Sequence, residues 1–462
     1  MRVANGVTVV IGLGVSGQAI CRHLARQGTA FVVVDTRPEP PGLGAFQTQY
    51  PDVEVYCGPL TEVDFTNAYE VVVSPGVDPH SAGLAGLLER KNAVTGEPVL
   101  VGEIALFTRA VKAPVAAITG SNAKSTVTTL LGEMAVAAGV KVAVGGNLGT
   151  PALDLLAEYP DAELYILELS SFQLETTPYL GAKAAAFLNI CEDHLDRHGD
   201  MAGYLQAKQR IFWGAQSAIV NADDALTWPD TPVPHVERFT AFEPTDNGWG
   251  LTEKNATLTL VQGDTVWLSA DSLAIAGRHN YLNALAALAM GHALGFAKRP
   301  MCQALAAFKG LPHRSEVIAR INDVMWVNDS KGTNVGATLA AIQGISATLK
   351  GKLILLAGGV GKGADFTPLA APLAACAKGA LLFGEDAERL SSALSPSITV
   401  HLVENLTQAM EMASALAEPG DCVLLSPACA SLDQFANYQA RGDAFREWVK
   451  QHEAPSCLGA KL

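Results

Sequence analysis

No apolar run in this chain is long enough to cross a bilayer; the Ala-rich stretch 284–294 contains His292 and has the spacing of a soluble helix. No C-x-x-C pair occurs among the eight cysteines, Cys21, Cys57, Cys191, Cys302, Cys376, Cys422, Cys429 and Cys457, and their scatter reads as reduced thiols in a cytosolic protein. The N-terminus runs straight into a strand pattern without the basic and apolar regions of a signal peptide, so the expected location is the cytoplasm. Lys and Arg form no cluster, and a formal net charge of −14 argues against a nucleic-acid partner. Repeats and low-complexity segments are also missing. What remains is a chain of 462 residues with the composition of an α/β enzyme, too long for one core and suggesting roughly three domains.

The stretch 114–130 organises the rest. Val115 to Ile118 reads as a buried strand, a small-residue turn follows, and Lys124 opens a segment with helical periodicity through Leu130 and Met134. Strand, tight loop, Lys-Ser-Thr and helix make a phosphate cradle. Backbone N–H groups of Gly120, Ser121, Asn122 and Ala123 face the anion, Lys124 adds a point charge, and the Ser125 or Thr126 hydroxyl reaches a magnesium ion. The standard spacing calls for glycine where Ile118 and Ala123 stand. Alanine occupies a positive-φ position only at a cost of roughly 1 kcal/mol or more, so the loop must fit a Cβ there or keep φ negative. The plainer alternative is a strand–turn–helix with a solvated lysine.

Before it, residues 7–11 form a strand entering Gly12-Leu-Gly14-Val-Ser-Gly17, then a helix, then a strand ending in Asp35-Thr36-Arg37. This is the dinucleotide fingerprint, with Asp35 where a ribose-reading carboxylate would lie; plain helix–strand packing is the competing explanation. The strand Glu70 to Val73 delivers Ser74-Pro75-Gly76 to the same sheet edge. After the phosphate loop, Gly145-Gly146-Asn147 follows one strand and Glu168 ends another, where nucleotide hydrolases place a magnesium-holding carboxylate. A strand-end acid that caps the next helix would look the same.

His194 and His198 have zinc-protease spacing, but Leu195 stands where the glutamate is required, so one histidine near a magnesium site fits better. Lys208 lies in the middle of an apolar stripe made by Tyr204, Leu205, Ile211 and Phe212. A buried lysine loses pKa or pairs with an acid; snorkelling from the stripe edge is the alternative. Thr257 to Gln262 and Thr265 to Ser269 read as a hairpin through Gly263-Asp264. Asn280 and Asn283 share a helix face suited to reading a base edge or to capping. Beyond Gly310-Leu-Pro312, three strands end in loops rich in polar and small residues: Asn328 to Asn334, Gly358 to Gly363, and Ser426 to Ser431. Three such loops at corresponding edges suggest a second substrate face.

Taken together, Thr119-Gly-Ser-Asn-Ala-Lys-Ser-Thr126, Glu168-Leu-Ser-Ser-Phe-Gln173, Glu192-Asp-His194, His279-Asn-Tyr-Leu-Asn283, Leu311-Pro-His-Arg314, Asn328-Asp-Ser-Lys331 and Leu425-Ser-Pro-Ala-Cys-Ala-Ser-Leu-Asp433 resemble the Mur ligases of peptidoglycan synthesis. The stretches Asn328-Asp-Ser-Lys331 and Ser426-Pro-Ala-Cys-Ala-Ser431 are similar to the branch of that family that adds D-glutamate. The resemblance implies an α/β fold of three domains. Residues 1–102 form a Rossmann-like domain for the UDP substrate, 103–310 a central P-loop-type ATPase domain, and 311–462 a C-terminal Rossmann-like domain that closes over ATP and binds D-glutamate. The implied reaction is ATP-dependent amide ligation through an acyl phosphate on UDP-N-acetylmuramoyl-L-alanine, by a monomer.

The resemblance also implies roles for single residues. Gly14, Val15, Ser16, Asp35, Thr36, Arg37, Ser74, Gly76 and Asn147 would hold the UDP substrate, with Asn147 beside the reacting carboxylate. Lys124 would hold the β- and γ-phosphates; Asn283, Arg314 and Asp329 would contact adenine, phosphate and ribose. Ser125 and Glu168 would hold one Mg2+, and His194 with a carbamylated Lys208 a second. Lys331, Thr333, Lys362, Ser431 and Tyr438 would surround D-glutamate. Ala123, Val360 and Tyr438 depart from the family pattern, which bears on local loop geometry. Competing readings are an NAD-dependent oxidoreductase, which leaves Lys124 and Glu168 idle, a folylpolyglutamate-type ligase, and a non-catalytic nucleotide-binding scaffold.

Overall fold

Short β-branched and Ala/Leu runs, each broken by a small-residue turn, build three sheets in the computed structural model, which describes residues 1–254, 257–275, 277–346 and 349–453. The first sheet contains β1 (Thr8–Ile11), β2 (Phe31–Asp35), β3 (Val55–Cys57), β4 (Glu70–Val73) and β5 (Leu100–Gly102), in the order β3-β2-β1-β4-β5. All its neighbours are parallel, and Ile11 pairs with both Val34 and Val73. The residues that follow, Gly12, Asp35 and Ser74, therefore leave the sheet at one edge, the edge where open α/β sheets bind ligands.

The second sheet adds β6 (Val115–Thr119), β7 (Val142–Gly146), β8 (Leu164–Glu168), β9 (Ala184–Phe187), β10 (Ser217–Asn221), β11 (His235–Phe239), β12 (Trp249–Lys254), β13 (Thr257–Gln262) and β14 (Thr265–Ser269). Its order is β14-β13-β12-β11-β10-β9-β6-β8-β7, with β6 at the crossover between two directions of growth. The hairpin of β13 and β14 forms as its alternation predicts. The third sheet contains β15 (Glu316–Ile321), β16 (Val324–Asn328), β17 (Leu353–Gly358), β18 (Ala377–Phe383), β19 (Val400–Leu402) and β20 (Cys422–Leu425), in the order β15-β16-β20-β17-β18-β19. Only β15 runs antiparallel to its neighbour there.

The chain divides into two compact units. One comprises residues 1–190, 202–270 and 283–306 and carries the first two sheets; the other comprises 191–201, 271–282 and 307–462 and carries the third. Among the described residues no helix is long and apolar enough to cross a membrane. The seven described cysteines are free thiols; Cys457 lies outside the described residues. Burial pushes the Cys21, Cys422 and Cys429 thiols up to about 12, which leaves them inert at neutral pH.

Glycine 17 shows why the first turn is glycine-rich: a Cβ on it would lie 1.7 Å from the Gly12 carbonyl oxygen. The helix Val15–Arg26 can therefore press against the end of β1 only without a side chain there. Two polar contacts then tie the first sheet to the second. Arg22 Nη2 meets Asp154 Oδ2 at 2.6 Å. Glu103, buried at the start of the helix Glu103–Ala110, accepts from the Leu153 amide at 3.1 Å.

Burial raises the Glu103 carboxyl from 4.5 to about 7, against the amides of Leu153 and Ala152 and the Ser16 hydroxyl, which favour the anion. The folded state thus holds this proton more tightly than the unfolded chain. The stability it contributes is complete below pH 4.5 and is lost as pH rises through about 7. Glu103→Gln, a mimic of the protonated form, should match the wild type near pH 4.5 and exceed its stability by at most about 3 kcal/mol at pH 8. Denaturant melts of both proteins across that range check this, and a pH-independent difference would exclude it.

Candidate active site

In the first sheet, the row Gly12–Asp35–Ser74 is a closed polar unit. Ser74 Oγ donates to the Gly12 carbonyl at 3.0 Å. Asp35 Oδ2 accepts from the Leu13 amide (2.7 Å) and from Arg37 Nη2 (2.7 Å), and Oδ1 accepts from the Arg37 amide and Nε, both at 2.9 Å. Burial pushes the Asp35 carboxyl up, but the Arg37 guanidinium and these amides outweigh it and hold the group below the usual carboxylate range. Sequence suggests an open, ribose-reading acid at this place. The structure instead spends both oxygens on shaping the glycine loop and aiming Arg37. Thr36, Arg37, Val15 and Gly76 stand exposed around it, and Ser74 is buried.

The phosphate loop forms as its residues predict, between β6 and the helix Lys124–Ala137. Ala123 does adopt the left-handed region, φ 66° and ψ −6°, so the strained alternative is the one realised. Several neighbours hold it there. Asn189 Oδ1 accepts from the Asn122 amide at 2.8 Å, and its Nδ2 donates back to the Asn122 carbonyl at 3.3 Å. The Ser121 amide donates to the Asn189 carbonyl at 2.9 Å, and the Ser121 hydroxyl meets the Tyr204 hydroxyl at 3.1 Å. Lys124 folds over its own loop, with Nζ 2.8 Å from the Gly120 carbonyl and 3.0 Å from that of Ser121. Ser125 and Thr126 are buried in the first turn of the helix.

Parallel pairing sets the acid beside this loop. Ile118 on β6 is opposite Glu168 on β8, and Glu168 is opposite Gly146 on β7. The Asn147 side chain donates to Glu168 Oε1 at 2.7 Å, and its amide donates to the Glu168 carbonyl at 2.8 Å. A buried hydroxyl and a carboxylate at one sheet edge are hard oxygen donors, the chemistry that suits Mg2+. Glu168 does not cap the following helix: Ser170 does, in a capping box with Gln173.

Lys208 is 1% exposed, so it does not snorkel. Its Nζ donates to the Gly120 carbonyl at 2.9 Å and lies 4.7 Å from the centre of the Tyr204 ring. The lysine on the apolar stripe thus reaches the phosphate loop itself. Asn283 lies half-buried in the same unit, on the helix Arg278–Leu294.

In the other unit, the loops after β16, β17 and β20 gather at one edge, since Asn328 pairs with Leu425 and Leu425 with Leu356. Lys331 Nζ sits 4.1 Å above the Tyr438 ring. The Val360 amide donates to the Ala430 carbonyl, and the Ala430 amide donates back, both at 2.9 Å, so the loop bearing Lys362 runs against the loop bearing Ser431. Lys362 Nζ is 3.6 Å from Asp193 Oδ1, and Asn334 Nδ2 donates to Asp193 Oδ2 at 3.2 Å. His194 follows Asp193 with φ 54°, its amide 3.0 Å from Asp193 Oδ1. Asp329 is buried: Oδ2 accepts from Ser426 Oγ at 2.7 Å and Oδ1 from the Ser315 amide at 2.9 Å. Burial lifts its carboxyl to about 6 against those donors. Thr333 is half-buried in its loop, and Arg314 precedes Ser315 in a turn where His313 and Ser315 both have positive φ.

The structure therefore brings together Lys124, Ser125, Asn147, Glu168 and Lys208 in one unit, and Lys331, Thr333, Lys362, Ser431 and Tyr438 along one edge in the other. Sequence reasoning misses Asn189, Tyr204, Asp193 and Arg441. Asn189 sits after β9 at the edge that also bears the phosphate loop, a position its spacing does reveal.

Comparison with known proteins gives a consistent result. Residues 6–96 match the Mur ligase MurD-like N-terminal domain, 118–291 the Mur ligase middle domain, and 313–429 the Mur ligase glutamate ligase domain. A UDP-N-acetylmuramoylalanine–D-glutamate ligase from Chromohalobacter salexigens is 59% identical over 99% of this chain and 100% of its own length. The Pseudomonas aeruginosa protein of the same name is 50% identical over 96% and 97%. Among solved structures, a pseudomurein peptide ligase type C from Methanothermus fervidus superposes with a TM-score of 0.61 at 19% identity, over 97% of this chain and all of its own. UDP-N-acetylmuramate-alanine ligase from Thermotoga maritima gives 0.57 at 17%, over 96% and 99%. Identities that low speak for the fold alone. With the three domains matched in order and close relatives aligned along their whole length, the chain belongs to the Mur ligases, a family of three-domain α/β ligases.

Proposed function

We propose that this chain is an ATP-dependent amide ligase acting in the cytoplasm, which joins D-glutamate to UDP-N-acetylmuramoyl-L-alanine. The reading is supported by the names of its relatives and above all by one row of the second sheet: Glu168 paired opposite Ile118, one strand from a phosphate loop whose lysine opens a helix. The domain division 1–102, 103–310 and 311–462 goes with this reading.

The reaction has two steps. The L-alanine carboxylate oxygen attacks the γ-phosphorus of ATP, ADP leaves, and an acyl phosphate forms. The D-glutamate amine then attacks the acyl carbon, the C–O bond to phosphate breaks, and the amine proton is lost as the amide forms. The loop amides from Gly120 to Ser125 and the start of the helix receive the phosphates. Lys124 exchanges its Gly120 and Ser121 carbonyl partners for phosphate oxygens and follows the charge of the transferred group.

Asn147, held by Glu168, faces the reacting carboxylate. Gly14, Val15, Ser16, Thr36, Arg37, Ser74 and Gly76 hold the UDP substrate, with Asp35 acting through Arg37 and the Leu13 amide. Asn283, Arg314 and Asp329 are assigned to ATP; Lys331, Thr333, Lys362, Ser431 and Tyr438 to D-glutamate, whose two carboxylates call for cations and hydroxyls. Ser125 and Glu168 fit one Mg2+, and His194 and Lys208 are assigned to a second; bound there, the ions neutralise charge on the phosphate oxygens. Lys208 serves as a carbamate. The ammonium first gives up a proton to water; the amine then forms an N–C bond to carbon dioxide and loses a second, so a buried cation becomes an anionic oxygen donor.

Phosphate release from ATP, measured with UDP-N-acetylmuramoyl-L-alanine and either D-glutamate, L-glutamate or no amino acid, should require both the UDP substrate and D-glutamate and should vanish in Lys124→Ala. Release that depends on another amino acid would remove the assigned substrate. Lys208→Ala should lower the rate more than about tenfold and recover part of it with formate or acetate, which replace the carbamate oxygens. A fully active Lys208→Ala protein would exclude the carbamate.

A further inference from the structure

Arg441 is fully buried in the unit of the third sheet. It lies on the helix Tyr438–His452, in line with the buried Phe445 and Val449, so the apolar stripe of the helix carries a guanidinium into the interior. The helix comes that close because the next residue is glycine: a Cβ on Gly442 would stand 2.2 Å from His313 Nδ1, and Asn328 Nδ2 donates to the Gly442 carbonyl at 2.9 Å.

The guanidinium is a hub between loops. Its Nε donates to Ser330 Oγ at 3.0 Å, and its Nη2 donates to the Ser330 carbonyl at 2.9 Å and the Cys429 carbonyl at 3.1 Å. Its Nη1 donates to the Gly358 carbonyl at 3.3 Å. Ser330 Oγ in turn donates to the Tyr438 carbonyl at 2.9 Å. These acceptors belong to the loop that bears Lys331 and Thr333, the loop that bears Lys362, the loop that bears Ser431, and the first residue of the helix, Tyr438. All four direct acceptors of the guanidinium are neutral. Asp329 and Asp433 act on it only through space, and burial brings it down to about 10, so it remains charged at neutral pH.

We propose that Arg441 is the positioning and specificity residue of the amino-acid pocket: it fixes the three substrate loops against one another, and its buried charge is balanced by the two carboxylates of the incoming amino acid. The inference rests on the assignment of those loops to D-glutamate made above. A planar fork suits this task and an ammonium does not, because the four bonds made here need more N–H groups than the three of an ammonium, spread over the width of the fork. A fixed cation behind the pocket favours an amino acid with two carboxylates over one with a single carboxylate before any direct contact is made.

The test uses the full-length protein and its variants Arg441→Lys, Arg441→Met and Ser330→Ala, with kcat and KM measured separately for D-glutamate, ATP and UDP-N-acetylmuramoyl-L-alanine. Arg441→Lys should raise the KM for D-glutamate about tenfold or more and leave the other two KM values within about twofold. Arg441→Met should raise it further and narrow the preference for D-glutamate over D-glutamine, which lacks the second carboxylate. Ser330→Ala, which frees Nε and the Tyr438 carbonyl while leaving the charge, should raise the same KM a few-fold and keep the D-glutamate preference; it decides the matter if the Arg441 variants fail to fold. Unchanged KM for D-glutamate in folded variants, or an equal loss for all three substrates, overturns the proposal. A wild-type enzyme indifferent to D-glutamate overturns the substrate assignment instead, and the proposal with it.

Discussion

The carboxamide of Asn189 grips the Asn122 peptide from both sides, accepting from its N–H and donating to its C=O. The phosphate loop depends on this grip. A left-handed alanine at 123 costs roughly 1 kcal/mol or more, and a loop free to relax would give up that conformation. Because Asn189 follows β9, and β9 pairs directly with β6, the pin belongs to the sheet and not to the loop. The same sheet supplies Glu168 from the other side of β6. One central strand thus sets the loop, its pin and its acid in register, and the site inherits the rigidity of the ladder.

Two buried N–H donors, Lys208 and Arg441, solve a related problem in the two units. Loops at a strand edge present carbonyl groups that would be costly to bury without donors. Lys208 gives its N–H to Gly120; Arg441 gives its N–H groups to Gly358, Ser330 and Cys429. Each donor comes from a helix, among buried neighbours. An isoleucine at either place would pack, but the carbonyls would lose their partners and the loops their fixed positions.

The sequence makes much of this visible. The strand–loop–helix at 115–137 and the glycine turn at 12–17 are local devices whose residue types are dictated by backbone geometry, so they read directly. Glu168 is legible because an apolar strand delivers it. Lys208 is legible because it interrupts a periodic stripe. The same rule applied to Arg441, Phe445 and Val449 would have marked Arg441, since the three lie four residues apart and only the first is charged. The engagement of Asp35 with Arg37 and Leu13 is not legible, because whether a strand-end acid faces a ligand or its own loop depends on side-chain rotamers. β10, β11, β12 and β15 escape a reading by alternation, as do the short β3 and β5, since their patterns are too brief or too mixed to separate from loop.

A formal net charge of −14 is unexpected in a chain proposed to take substrates that are themselves anions. The fold resolves this locally. In the phosphate loop the attraction comes from aligned peptide N–H groups, a helix start and a lysine held against its own loop carbonyls, none of which needs a basic surface. In the third sheet it comes from a guanidinium whose direct partners are neutral, with Lys331 stacked on Tyr438 beside it. Charges held this way lie away from bulk salt and are screened less than surface pairs. For the function proposed here, positive charge placed inside loops lets small phosphates and carboxylates be held without an extended basic face.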